Sequence, residues 1–276
     1  MCKDSSGKYF VFSTGVGLEI RTSPDRVAFT FVGLVWPNGA SWTDPFTLTS
    51  NGALWVPDCY YANGLYYAAS SFGSQNVRDI SDVKGTNRSD FFKSAIFYAT
   101  SSTGLPGSFT NHGLVTSTSS SNNYNVNGSK WYLSLGSFWT GIKVESVSPS
   151  TGLSTSSVTS IAQRTASGGA IEASVIYKHG SFYYLFTSWD LCCQGTSSTY
   201  NIRVGRSTSR TSLIGVLSPT SGFVDQAGVA LTSGGGTLVL GTHGSVCVLR
   251  NDYYTSLGSF LGINRLDFSS GWPAVV

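Results

Sequence analysis

Apolar and polar residues alternate in short runs along the whole chain, with the period of two expected of half-buried strands. Ten of these runs fall into five pairs. Each pair opens on a mostly aromatic strand and closes on a second strand that runs out into Ser or Thr. The first members are KYFVFST from Lys8, LYYAASS from Leu65, KWYLSLG from Lys130, FYYLFTS from Phe182 and TLVLGTH from Thr237. Their partners are GLEIRTSPD from Gly17, AIFYATSST from Ala95, GIKVESVSP from Gly141, NIRVGRSTS from Asn201 and GINRLDFSS from Gly262. Aligning Tyr9, Tyr66, Trp131, Tyr183 and Leu238 as anchors gives spacings of 57, 65, 52 and 55 residues.

Five β units of about 50 residues predict an all-β fold, a five-bladed β-propeller in which small sheets surround a channel. A β-sandwich or solenoid is the alternative, although sandwiches seldom repeat one two-strand motif five times. No segment has the composition of a linker, so one domain over 1–276 is expected. The position 11 residues before the anchor is Glu172 for Tyr183, Trp55 for Tyr66 and Ser120 for Trp131. For Tyr9 it falls ahead of residue 1, so the first blade is expected to be incomplete. Residues 76–93 (NVRDISDVKGTNRSDFFK) break the second unit and hold seven charges, as an inserted exposed loop would.

Composition narrows the class further. Only 31 of 276 residues are charged (17 basic plus 14 acidic), and three are glutamates: Glu19, Glu145 and Glu172. Helix surfaces need far more Glu, Lys and Arg, so a helical or doubly wound α/β fold is excluded. A net charge of +3 is too small to point to nucleic acid or an anionic membrane, and neither is expected as a partner. The long uncharged stretch Gln226 to Leu249 is rich in Gly, Ser and Thr and does not resemble a membrane span.

The five cysteines (Cys2, Cys59, Cys192, Cys193, Cys247) fit no zinc spacing. The adjacent Cys192 and Cys193 are compatible with two thiols or with a vicinal disulfide. Sequons at Asn87 and Asn127 and a charge-poor, Ser/Thr-rich surface suggest an extracellular protein, whereas residues 1–8 carry no apolar export stretch.

Scarcity of acids makes the remaining ones informative. Most sit in turn-like or Ser-rich surroundings, but Asp58 in LWVPDCYY and Glu172 in GAIEASVIYK precede aromatic strands. A carboxyl group in an apolar setting has its pKa raised, which suits a general acid. The plainer reading of either is a turn cap or the partner of a buried arginine. Trp55, Phe72, Phe138, Trp139 and Trp189 flank strand ends, where rings either pack between blades or stack on a sugar. His179 lies in a turn and is expected to be exposed, while His243 in LGTHGS ends an inner strand and faces the channel. A lone histidine is only a weak metal candidate on pattern.

The segments LWVPD, SSFGSQ, KWYLSLGSFWTGIKV, AIEASVIYKHGSFYYLF, DLCCQGTSSTYNIRVGRS, LGTHG and LGINRLDFSSGWP resemble glycoside hydrolase family 43, specifically its fungal secreted endo-1,5-α-L-arabinanases. The resemblance implies a five-bladed propeller and a secreted monomer that hydrolyses α-1,5-linked arabinan with inversion. It implies that Glu172 is the general acid, and that Ser137, Phe138 and Trp139 contact the substrate. It implies that Asp58 and Gly73 line the groove, where Trp55, Phe72 and Asn125 are further substrate-binding candidates. It also implies that His243 holds a central calcium (or another ion) through water.

Two family carboxylates lack counterparts. The His-Asp-Pro motif of the general base is absent, and the segment that would carry the pKa-tuning aspartate is shortened after Asn122–Asn125. Inversion needs one carboxyl to protonate the leaving oxygen and another, about 6.5–9.5 Å away, to activate water. Glu172 without a base predicts an impaired hydrolase, or a propeller that binds arabinan without cleaving it.

Overall fold

The computed structural model describes residues 1–47, 50–51, 53–73, 94–117, 131–136, 138, 140–148, 150–164, 166–190, 201–208, 238–240, 245–250 and 260–275. These residues form five antiparallel sheets. The first holds β1 (Cys2–Lys3), β2 (Tyr9–Ser13), β4 (Glu19–Ser23) and β5 (Thr30–Leu34), in that order. The second runs β3 (Gly15–Val16), β6 (Ala53–Ala62), β7 (Leu65–Gly73), β8 (Ser94–Ser101) and β9 (Thr110–Ser117). The third consists of β10 (Trp131–Leu135), β11 (Ile142–Val147) and β12 (Thr159–Ala162). The fourth consists of β13 (Ile171–His179), β14 (Phe182–Trp189) and β15 (Asn201–Ser207). The fifth comprises β16 (Leu238–Leu240), β17 (Ser245–Arg250), β18 (Phe260–Asp267) and β19 (Ala274–Val275).

Helix is nearly absent among the described residues, as the charge-poor composition requires. The single α-helix there is α1, the four residues Asp44–Thr47. Among the described residues no helix is long and apolar enough to cross a membrane.

The paired-strand repeat holds in four units and is out of phase in the fifth. Tyr9, Tyr66, Trp131 and Tyr183 lie on β2, β7, β10 and β14, and each of these strands pairs with the partner expected from the sequence. Leu238 instead lies on β16, which pairs with β17, and β18 is one strand further out. In the fifth sheet β16 therefore stands where β13 stands in the fourth. Both strands of a hairpin alternate with the same period of two, so periodicity alone does not fix which one comes first. In the first sheet the strand ahead of the anchor is present as the two residues Cys2–Lys3.

Two compact units are distinguished: residues 1–131 with 147–157, and residues 132–146 with 158–276. In the first, Phe10, Leu18, Ile20, Leu54, Tyr66 and Phe97 form the buried core. Phe10 meets the Tyr66 ring edge-on at 4.7 Å, a favourable arrangement for a ring pair. A disulfide between Cys2 and Cys59, with Cα atoms 5.6 Å apart, ties β1 to β6. Local pattern does not reveal this pairing, because 57 positions separate the two cysteines.

The turn between β1 and β2 is built on Asp4. Its Oδ1 accepts hydrogen bonds from the Ser6 and Lys8 amides, both at 2.9 Å, and from Ser6 Oγ at 2.7 Å. Its Oδ2 accepts from the Tyr66 hydroxyl at 3.0 Å. Burial pushes the Asp4 carboxyl up, but these four donors outweigh it and hold the group below the usual aspartate value.

The second unit has two cores. Ile142, Val144, Ile161, Ile171 and Leu185 form one, and Tyr184, Phe186, Ile202 and Val204 form the other. The first includes Ile171, the residue immediately before Glu172 on β13.

Candidate active site

Glu172 is the second residue of β13, and a local break in the ladder sets its direction. Ile171 pairs with Trp189 and Glu172 with Ser188, but the next pair is Val175 with Phe186. Ala173 and Ser174 together face Thr187 alone, so the strand carries a one-residue bulge immediately after the acid. Ala173 takes a left-handed backbone, φ 52°, to form it. Such a bulge re-aims the flanking side chains and is a common device beside active sites. Glu172 and the two bulge residues are half-buried, whereas Ala170 and Ile171 are buried just before them.

Two further segments are tied to this start of β13. The Phe138 amide donates to Ile171 O at 2.8 Å, and Ser134 Oγ on β10 donates to Ser174 O at 3.1 Å. Phe138, half-buried with φ 53°, opens a tight turn that closes with the Gly141 amide on Phe138 O at 2.7 Å. A Cβ on Gly141 would strike the Ala162 carbonyl, and its φ is 71°, so only glycine fits. The Lys143 ammonium clamps the same turn, donating to Thr140 Oγ1 at 2.6 Å and to Thr140 O and Gly141 O, each at 3.0 Å. Burial holds that lysine below its usual pKa.

The approach to β13 is a 3-10 turn at Ser167–Gly169, fixed from outside by Arg164. Arg164 Nη1 donates to Asp190 Oδ1 at 2.6 Å and to Ala170 O at 3.2 Å, and Nη2 donates to Ser167 Oγ at 2.9 Å. The guanidinium lies 4.5 Å from the centre of the Trp189 ring. Arg164, Asp190 and Lys143 carry no local signature, and sequence reasoning misses all three.

The other candidates are placed as follows. Trp55, on β6, is half-buried and pairs with Ser71; the next pair is Asp58 with Ala69, so this strand is bulged too. Asp58 is exposed rather than set among apolar groups, because it lies past the bulge; its Oδ1 accepts from the Cys59 amide at 2.7 Å. Phe72 and Gly73 end β7, with backbones paired to Ala95 and Ser94. His179 is exposed, as expected, and stacks on Phe268 at 4.3 Å. Asn125, Ser137, Trp139 and His243 lie outside the described residues, as do Cys192, Cys193 and the run 76–93. Among the described residues no three His, Cys, Asp or Glu side chains gather to hold a metal ion.

Residues 1–273 match the model of glycosyl hydrolases family 43. The chain belongs to this family. It is similar to the arabinan endo-1,5-α-L-arabinosidase A of Aspergillus aculeatus, with 36% identity across 99% of this chain and 88% of that protein. Among solved structures it is similar to the family 43 endo-arabinanase from Bacillus licheniformis, with a TM-score of 0.75 and 29% identity, covering 98% and 94% of the two chains. The native Bacillus subtilis arabinanase superposes with a TM-score of 0.74 at 30% identity, covering 99% and 94%.

Proposed function

We propose that this chain is an arabinanase-type glycosidase that acts on α-1,5-linked arabinan with inversion, with Glu172 as the proton donor. The observation that carries the reading is the seat of Glu172 on the β13 bulge, held from two sides by the Phe138 amide and Ser134. The names of the relatives supply the substrate class. Glu172 protonates the glycosidic oxygen as the bond breaks; inversion also requires a carboxylate that draws a proton from water on the opposite face of the sugar, and no residue of this chain is assigned to that role. We take Trp55, Phe72, Phe138 and Trp139 as candidates for stacking on the furanose faces, and Asp58, Gly73, Asn125 and Ser137 as further candidate substrate contacts.

The five sheets support a five-bladed propeller folded as one catalytic domain over 1–276. The protein acts as a secreted monomer. The Cys2–Cys59 disulfide supports secretion, since such bonds persist in oxidising compartments. His243 is our candidate for holding a calcium (or other) ion through water.

The 276 residues contain no His-Asp-Pro motif to supply a general base. Loss of that half of the chemistry costs about 10²–10⁴-fold, so turnover by this chain is slow. The same observation favours a second reading, a propeller that binds arabinan without cleaving it. Calorimetry with linear arabino-oligosaccharides, beside a reducing-sugar assay on arabinan, separates them. Slow release of reducing ends supports the hydrolase; binding with no release supports the second reading.

A further inference from the structure

We propose that Arg164 is a positioning residue for Glu172. The inference rests on the reading of Glu172 as proton donor. Arg164 does not touch the acid; it grips both chain segments that form the last ladder rung beside it. One is the turn Ser167–Gly169 leading into β13, held through Ser167 Oγ and Ala170 O. The other is the end of β14, held through the Asp190 carboxylate and the face of Trp189. The Asp190 amide closes the loop by donating to Ala170 O at 3.1 Å. Ile171 and Trp189 form the rung between them, and Glu172 is the next residue along.

The clamp is needed because the backbone around it is unfavourable. Ser167 and Asp190 both lie in the left-handed region, with φ of 51° and 67°. Such conformations persist only where the surroundings hold them. A guanidinium is suited to holding them, being planar, always charged, and able to send several N–H groups in fixed directions while stacking on a ring. A lysine cannot reproduce that fork. The pair is also largely shielded from water, with side-chain exposures of 13% for Arg164 and 25% for Asp190, so solvent screens it less than a surface pair.

The consequence is specific to proton donation. Displacing a catalytic group by about 1 Å costs on the order of 10²-fold in rate. Arg164→Met and Arg164→Lys are therefore expected to lower kcat on linear arabinan by roughly 10–10²-fold, with KM nearly unchanged. An aryl arabino-oligosaccharide with a nitrophenolate leaving group needs no protonation, so on that substrate the loss shrinks to a few-fold. Asp190→Asn, which keeps the side chain's shape, is expected to follow the same pattern if the arginine variants fold poorly. Equal losses on both substrates by the folded variants would overturn the inference while leaving Glu172 as the acid. No turnover by the wild type, or full arabinan turnover by Glu172→Gln, would overturn the reading of Glu172 and this inference with it.

Discussion

Trp55 occupies in the second sheet the ladder position that Glu172 occupies in the fourth. Each precedes its sheet's anchor tyrosine by 11 residues, each pairs with a serine (Ser71 and Ser188), and each is followed by a register shift of the same length. The repeat therefore reproduces the bulge as well as the strands. Where the fourth sheet presents a carboxyl at this position, the second presents an indole ring, able to stack on a sugar face but not to donate a proton to it.

Trp55→Ala is accordingly expected to act on binding alone. In a Glu172→Gln background, affinity for arabino-oligosaccharide should fall roughly tenfold, the worth of one well-placed ring contact. Titration calorimetry measures it, and an unchanged affinity would place Trp55 in packing only.

The Cys2–Cys59 bond closes a long loop, which restricts the unfolded chain. For a sequence separation of 57 the chain-entropy relation gives about 4 kcal/mol. Cys59→Ser, or reduction by dithiothreitol, should lower unfolding stability by about 2–5 kcal/mol in urea titrations. Loss of less than about 1 kcal/mol would contradict this.

Acid pH should act through Asp4. Its folded-state pKa lies below the ordinary aspartate value of 3.8, so its stabilising effect is complete above that value and is lost as pH falls through the folded one. The stability gap between wild type and Asp4→Asn should be constant near pH 6 and should narrow below about pH 4. Urea unfolding across that range tests it. Tyr66 moves oppositely: burial first, then its bond to Asp4, raises its pKa above the usual tyrosine value, so its hydroxyl stays a donor far into alkaline solution.

Gly141→Ala is expected to cost more than about 1 kcal/mol, since the position combines φ 71° with a carbonyl against the new methyl group. The Phe138 turn would shift with it, so arabinan turnover should fall further than stability alone explains. Parallel thermal unfolding and activity assays decide this, and equal small losses would contradict it.

Legibility in the sequence follows the range of the interactions. The aromatic strands around Tyr66 and Tyr183 are readable because alternation and flanking turns are local. Glu172 stands out because acids are few. Leu238 misleads because the two strands of a hairpin carry the same alternation, which puts the fifth unit one strand out of phase. Asp58, like Glu172, has mostly apolar neighbours in sequence, yet it lies beyond the bulge and is exposed, and no residue pattern announces a bulge. Arg164 and Asp190 are 26 residues apart, and Cys2 and Cys59 are 57 apart; their pairing arises only when the sheets bring them together.

The most direct test is the rate of reducing-end release from linear α-1,5-arabinan by this chain and by its Glu172→Gln variant. A slow but measurable wild-type rate that falls by a further ~10²-fold or more in the variant is the expected result, with binding of arabino-oligosaccharide retained. Equal rates in the two proteins would contradict the assignment of Glu172 as the proton donor.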